Sequence, residues 1–322
     1  MDNKRDSFLI EEIRRLKVEK SVDILSHYYM PAELQKHFND GGIADFVGDS
    51  LGLSLFAKES NGKHILFCGV RFMAETAVLV NPDKKVFMPD VNTGCSLAES
   101  ISEQDLIQLR NDNPGIPIMG YINTYASTKK HLDVCCTSRN ALKIAANLAS
   151  DKIIFIPDLY MGQNLAKVLK EKHNKELILW KGTCEVHEQF KHEMLGCDDD
   201  SEILLHWEVP ADTVNAQLAG RKGIVGSTGD ILKYVEQSSA KKFVLASECD
   251  LAVALQEQNK DKEFLTPCIK CPYMKQNSLE KVLDALMAIN TDDEDRYIIQ
   301  LTEDTIQQAR IPVLEMLSDK YN

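Results

Sequence analysis

Short, almost wholly apolar runs alternate along this chain with longer stretches in which apolar residues recur every three or four positions. Leu9, Ile10, Ile13 and Leu16 lie at helical spacing and predict a lead-in helix over residues 7–17. Residues 21–26, 43–48, 64–68 and 85–88 are compact apolar runs and predict strands. Between them, the segment carrying Leu51, Leu53, Leu55 and Phe56, and then residues 72–80, predict helices. Strands that are apolar at nearly every position belong in a parallel sheet covered on both faces.

The same pattern returns twice. A first strand ends on a polar trio: His27-Tyr28-Tyr29, Tyr121-Ile122-Asn123 and His206-Trp207-Glu208. A second strand runs into hydroxyl residues at a helix start: Asp49-Ser50, Thr137-Ser138 and Ser227-Thr228. A third strand and helix follow, then a fourth strand and a loop with a cysteine: VFMPDVNTGCS, LILWKGTC and EFLTPCIKC. From trio to last cysteine the distances are alike: 95 − 27 = 68, 184 − 121 = 63 and 271 − 206 = 65. One unit is therefore used three times, and three copies suit a closed arrangement around a centre better than a solenoid.

The predicted fold class is α/β, with three pseudo-three-fold-related α/β/α units, each with a four-stranded parallel sheet. Residues 1–100 form the first repeat with the N-terminal helix and residues 101–195 the second. Residues 196–322 form the third repeat, plus a C-terminal tail docking on a neighbouring unit. Connecting helices are predicted over residues 102–109 and 186–195, with a turn or linker at Cys197-Asp198-Asp199-Asp200-Ser201. A helix from Ser278 carries Leu279, Val282, Leu283 and Leu286, and a final strand–helix pair follows the polar turn TDDEDR.

Net charge of −12 and a pI near 5.2 argue against a nucleic-acid or anionic-membrane partner, because both need clustered Lys and Arg. No apolar run approaches a membrane span, and the charged N-terminus lacks a signal-peptide apolar segment. The expected location is the cytoplasm, where nine cysteines are thiols or metal ligands rather than disulfides.

In parallel α/β units, ligands bind off the carboxyl ends of the strands, where every distinctive residue here falls. Cys95, Cys184 and one of Cys268 and Cys271 offer three thiolates to one centre, a set that suits zinc, copper(I) or iron–sulfur. Three protein ligands with an open fourth position mark a reactive metal site. Cys68, Cys135, Cys136, Cys197 and Cys249 read as ordinary buried thiols. The hydroxyl turns stand where helix N-termini attract anions, and equally where N-caps belong. The trios offer acid–base groups. His187, three residues after Cys184, is either a partner of that site or a polar residue opening a helix. Lys181, Arg71 and Lys275 could lend positive charge to an anion, but read first as surface or capping residues. No strand–helix turn carries the GxGxxG of a dinucleotide site.

With these residues in view, the chain resembles the quinolinate synthase family, from about residue 22 to residue 317. The resemblance is carried by SHYY, ADFVGDSL, FCGVRFMAET, MPDVNTGCSLAE, GYINT, CCTSRNA, FIPDLYMG, LWKGTCEVHE, GSTGDI and CIKCPYMKQN. It implies three α/β domains around a 4Fe-4S cluster held by one cysteine from each. The implied reaction condenses iminoaspartate with dihydroxyacetone phosphate to quinolinate, with loss of phosphate and two waters. A separate aspartate oxidase or dehydrogenase would supply the iminoaspartate.

Position by position, Cys95 and Cys184 match the first two cluster ligands. Cys271, in the block that resembles the family's CPxM, matches the third. His27 and Tyr29 match the H-x-Y pair expected to handle the triose and its proton transfers. Tyr121 and Asn123 match the Y-x-N pair that contacts substrate carboxylates. Ser50, Ser138, Ser227 and Thr228 match the hydroxyls that hold phosphate or carboxylate. His206 and Glu208 match the H-x-E pair, with the glutamate as general base. Two blocks depart from the family: His206-Trp207-Glu208-Val209 where HPEC is usual, and IPVLEML where the family carries an arginine. Another hydro-lyase using an open cluster iron, a mononuclear zinc enzyme and a non-catalytic cluster-containing metabolite sensor are the alternatives.

Overall fold

Three four-stranded sheets, each parallel throughout, account for the named strands of the computed structural model, which describes residues 3–196 and 200–321. The first contains β1 (Val22–His27), β2 (Phe46–Gly48), β3 (His64–Cys68) and β4 (Lys85–Phe87). The second contains β5 (Ile118–Tyr121), β6 (Val134–Cys136), β7 (Lys152–Ile156) and β8 (Glu176–Leu179). The third contains β9 (Glu202–His206), β10 (Gly223–Gly226), β11 (Lys242–Ala246) and β12 (Glu263–Leu265). All three share one spatial order, β2-β1-β3-β4 and its counterparts, so the repeat read from the sequence is a repeat of topology. No helix among the described residues is long and apolar enough to cross a membrane.

Each sheet's first strand ends on the first residue of a trio, at His27, Tyr121 and His206, while the second strands end one residue before the hydroxyl turns. Asp49 caps the helix Ser50–Glu59 by accepting the Gly52 N–H at 2.9 Å. The helix Arg71–Val80 is buried at every position after its first. Its burial follows from the tail: the helix Glu303–Met316 inserts Ala309, Val313 and Met316 against that helix, the helix Ala126–Lys129 and β6. The tail thus docks across the first and second units. The lead-in helix Asn3–Glu19 buries Leu9, Ile13 and Leu16 and packs on the helix Leu279–Ala288, which follows the third sheet.

Three expectations need correction. Residues 186–195 form two 3-10 turns, His187–Gln189 and His192–Met194, rather than a helix. Val186, Phe190 and Leu195 all anchor in the small core under the third sheet, and the Phe190 and His192 carbonyls accept hydrogen bonds from Thr213 and Gln217 instead of closing helical turns. The last predicted strand is a single antiparallel bridge between Phe87 and Ile298, because Thr302 caps the tail helix four residues later. Cys249 is not a strand thiol. It opens the helix Cys249–Gln258 and is disulfide-bonded to Cys268, which leaves Cys271 as the free thiol of the CxxC. Of the predicted linker, Cys197–Asp199 lie outside the described residues.

Lys129 is wholly buried and donates to the Ile122 carbonyl at 2.9 Å and to the Thr124 carbonyl, clamping the loop that carries Asn123. Burial pulls its pKa down to about 8.

Two outcomes are expected. Met316→Ala should cost about 2–5 kcal/mol, seen in urea unfolding as a lower midpoint at unchanged slope. Lys129 has a depressed folded pKa, so the cost of burying its charge is fully present below pH 8 and is relieved as pH rises toward the ordinary value of 10.5. Wild-type stability relative to Lys129→Met should therefore rise across that window, and a flat difference would contradict the assignment.

Candidate active site

The carboxyl ends of the three sheets face one cavity of about 70 Å³. The first unit lines it with His27, Tyr29, Ser50 and Cys95. The second contributes Tyr121, Asn123, Ser138 and Cys184, and the third His206, Glu208, Thr228 and Cys271. Ser227 is the one residue singled out in the sequence that is not in the lining. Its Oγ accepts the Asp230 N–H and donates to the Asp230 carboxylate, completing a capping box.

Glu208, 3% exposed, is the electrostatic centre. Tyr121 Oη donates to its Oε1 at 2.6 Å, and His187 Nδ1 lies 3.1 Å from its Oε2. Burial works against its charge, but His187 and the Tyr121 hydroxyl outweigh it and hold the carboxyl down at about 2. Asp158, also buried, is pushed the other way, by its burial and then by the charge of Glu208.

The two trio histidines are neutral. Burial, with His206 and Lys275 adding to it, brings His27 down to about 3. Burial also brings His206 down to about 3, against the pull of Glu208. His27 Nδ1 accepts the Tyr29 N–H at 3.1 Å, which leaves the ring proton on Nε2 as a donor. Tyr29 Oη shares hydrogen bonds with Ser247 at 2.9 Å and Thr228 at 3.4 Å, and its acidity is suppressed by burial first and then by Glu208. Asn123 Oδ1 is buried without a hydrogen-bond partner among the described residues.

The three free thiols are close enough to interact electrostatically. Burial pushes Cys95 up to about 12 and Cys271 up to about 11, and drives Cys184 upward as well, with Cys95 and Cys271 adding to the shift at Cys184. The backbone N–H groups of the turn after each cysteine, those of Leu97 and Ala98, of His187, and of Tyr273 and Met274, work the other way and favour the ionised sulfur. Thiols that resist ionisation alone, yet are ringed by N–H donors, suit a centre that brings its own positive charge and displaces their protons. That donor set fits an iron–sulfur cluster. A second, overlapping set also exists: one donor atom each from Cys184, His187 and Glu208 lies within 4.8 Å of the others.

Further residues take part in the site. His187 is buried in the lining between Cys184 Sγ, at 3.3 Å, and Glu208. Its Cys-x-x-His spacing was the available signal. Glu248, wholly buried, accepts the Cys271 N–H at 3.2 Å and pairs with Lys275 at 2.9 Å. Lys275 in turn donates to the Tyr29 carbonyl at 2.6 Å, so it is no simple surface or capping residue. Trp207 points away from the cavity, toward Asn164, Lys167 and Val168. Its N–H donates to the Gly226 carbonyl at 3.2 Å, a bond that proline has no hydrogen to make.

The family model described as Quinolinate synthetase A protein matches residues 11–318. The quinolinate synthase of Caldicellulosiruptor saccharolyticus is 39% identical over 312 residues, covering 95% of this chain and 96% of that protein. That of Sulfurihydrogenibium sp. is 38% identical over 321 residues, with 96% and 98% covered. That of Caulobacter vibrioides is 36% identical over 317 residues, with 96% and 81% covered. Matches of this extent run through all three units and most of the tail, and the chain belongs to the quinolinate synthase family.

Proposed function

We propose that this chain condenses iminoaspartate with dihydroxyacetone phosphate to give quinolinate, phosphate and two waters, with Cys95, Cys184 and Cys271 holding one 4Fe-4S cluster. The observation that carries this reading is the placement around one cavity of an ionised carboxylate from the third unit, tyrosine hydroxyls from the first and second, and one free thiol from each of the three. A cluster bound by three thiolates keeps one iron open as a Lewis acid for a substrate oxygen or nitrogen.

The protein groups divide the remaining work. Condensation, tautomerisation and two dehydrations each move protons, and each needs an acid or base in place. Glu208 is the base, already ionised and aimed by Tyr121 and His187. Tyr29 and Tyr121 stay protonated and act as donors. His27 presents its Nε2 proton to the triose oxygen, as a neutral imidazole can. Asn123 offers an acceptor that no protein group occupies. Ser50, Ser138 and Thr228 hold the phosphate from three sides. A separate aspartate-oxidising enzyme of the cytoplasm supplies the iminoaspartate.

The Cys184–His187–Glu208 set supports a second reading, a mononuclear metal enzyme. Metal and sulfide analysis of anaerobically prepared protein separates the two. About four irons and four sulfides per chain support the cluster, while one zinc without sulfide would sink it.

In an anaerobic assay with freshly generated iminoaspartate and the triose phosphate, quinolinate should be detected by mass. Glu208→Gln should lower kcat roughly 10²- to 10⁴-fold while leaving the cluster absorbance in place. Cys95→Ala should abolish both the absorbance and the product. Full activity in E208Q would remove Glu208 from its role.

A further inference from the structure

The proposed substrates carry two carboxylates and a phosphate, yet no lysine or arginine lines the cavity. The hydroxyl turns, read above as the phosphate end, even include a carboxylate in the wall, that of Asp49. Asp49 is buried, and an unpaired buried carboxylate beside a phosphate weakens binding by roughly tenfold or more. Something must cancel it.

Arg139 stands in position to do so. Its Nη2 lies 2.6 Å from Asp49 Oδ2, reaching from the second unit to the first. The same guanidinium lies against Gly229 of the third unit, so closely that a Cβ there would stand 2.1 Å from Nη2 and 2.8 Å from Cζ. Arg139 therefore touches the chain neighbours of Ser50 and Thr228 and itself follows Ser138. Ser50, Ser138 and Thr228 all line the cavity, one from each unit, alongside Ser96 and Thr137. Its Nε and Nη1 make no hydrogen bond among the described residues.

We propose that Arg139 sets the charge of the phosphate end: it neutralises Asp49 and thereby turns three hydroxyl turns into a site for a doubly charged anion. This makes it a specificity-determining positioning residue outside the cavity wall. The inference rests on reading these turns as the phosphate end.

The test uses cluster-loaded protein under anaerobic conditions. Calorimetric titration with inorganic phosphate and with dihydroxyacetone phosphate is paired with steady-state kinetics on both substrates. R139M should weaken both phosphate ligands roughly tenfold or more and raise KM for the triose phosphate, with kcat and the iminoaspartate KM within about twofold. R139K should restore most of the affinity. Asparagine caps helices as well as aspartate, so D49N keeps the fold and removes only the charge. D49N/R139M should recover phosphate binding, and D49N alone, which frees the guanidinium, should tighten it. Equal affinity in wild type and R139M, or a loss that D49N does not relieve, overturns the inference and leaves the anion reading standing. Wild-type protein that binds neither phosphate ligand overturns both.

Discussion

A carboxylate buried as deeply as that of Glu208 survives as an anion only if donors meet it, and its own unit does not supply enough of them. Tyr121 comes from the end of β5, His187 from the turn after the second unit's cysteine, and Glu208 from the end of β9. Taking a charge out of water costs several kcal/mol, and leaving one uncompensated costs about 3–5 kcal/mol when a partner is removed. The second and third units are thus held in register by the same contacts that prepare the base. A small displacement of one against the other would both destabilise the protein and spoil its chemistry.

The apolar packing makes this dependence sharper. One core runs through the first and second units and takes in the tail helix. The third sheet keeps two smaller cores of its own, one on each face. Apolar contacts join it to the rest, through Trp207 and the helix Leu279–Ala288 in the large core and Val186, Phe190 and Leu195 in the small one, and polar bonds around the cavity add to them. Tyr29 Oη meets Ser247 and Thr228, Lys275 joins Glu248 to the Tyr29 carbonyl, and Asn164 holds the Trp207 and Val209 carbonyls.

What could be read in the sequence was whatever repeats. Four apolar strands, a polar trio, a hydroxyl turn and a cysteine return at matched distances, and each recurrence strengthens the others. Parallel strands buried on both faces write themselves as unbroken apolar runs, so β3 was legible to the residue. Features unique to one unit were not. The 3-10 turns over residues 187–194 depend on Thr213 and Gln217 reaching back from a later helix. The Cys249–Cys268 bond joins two segments whose approach only the folded third unit creates. Arg139 carries no local mark at all, because its partners Asp49 and Gly229 lie in other units. Ser227 shows the opposite failure: a residue in the repeating position whose hydroxyl is engaged by Asp230.

The repeats also differ in a way that suits the chemistry. Cysteines stand at equivalent places in all three units, as a symmetric cofactor would require of its ligands. The trios do not match: His27-Tyr28-Tyr29, Tyr121-Ile122-Asn123 and His206-Trp207-Glu208 put different groups at equivalent strand ends. Position three is a hydroxyl donor in one unit, an amide in the next and a carboxylate in the last. A three-fold scaffold with three unlike trios gives a cavity that is symmetric at the sulfur side and directional where the substrates lie. Two different substrates can then be oriented against one another without any unit abandoning the common topology. The proton-transfer groups differ between copies because an asymmetric condensation needs one base, not three.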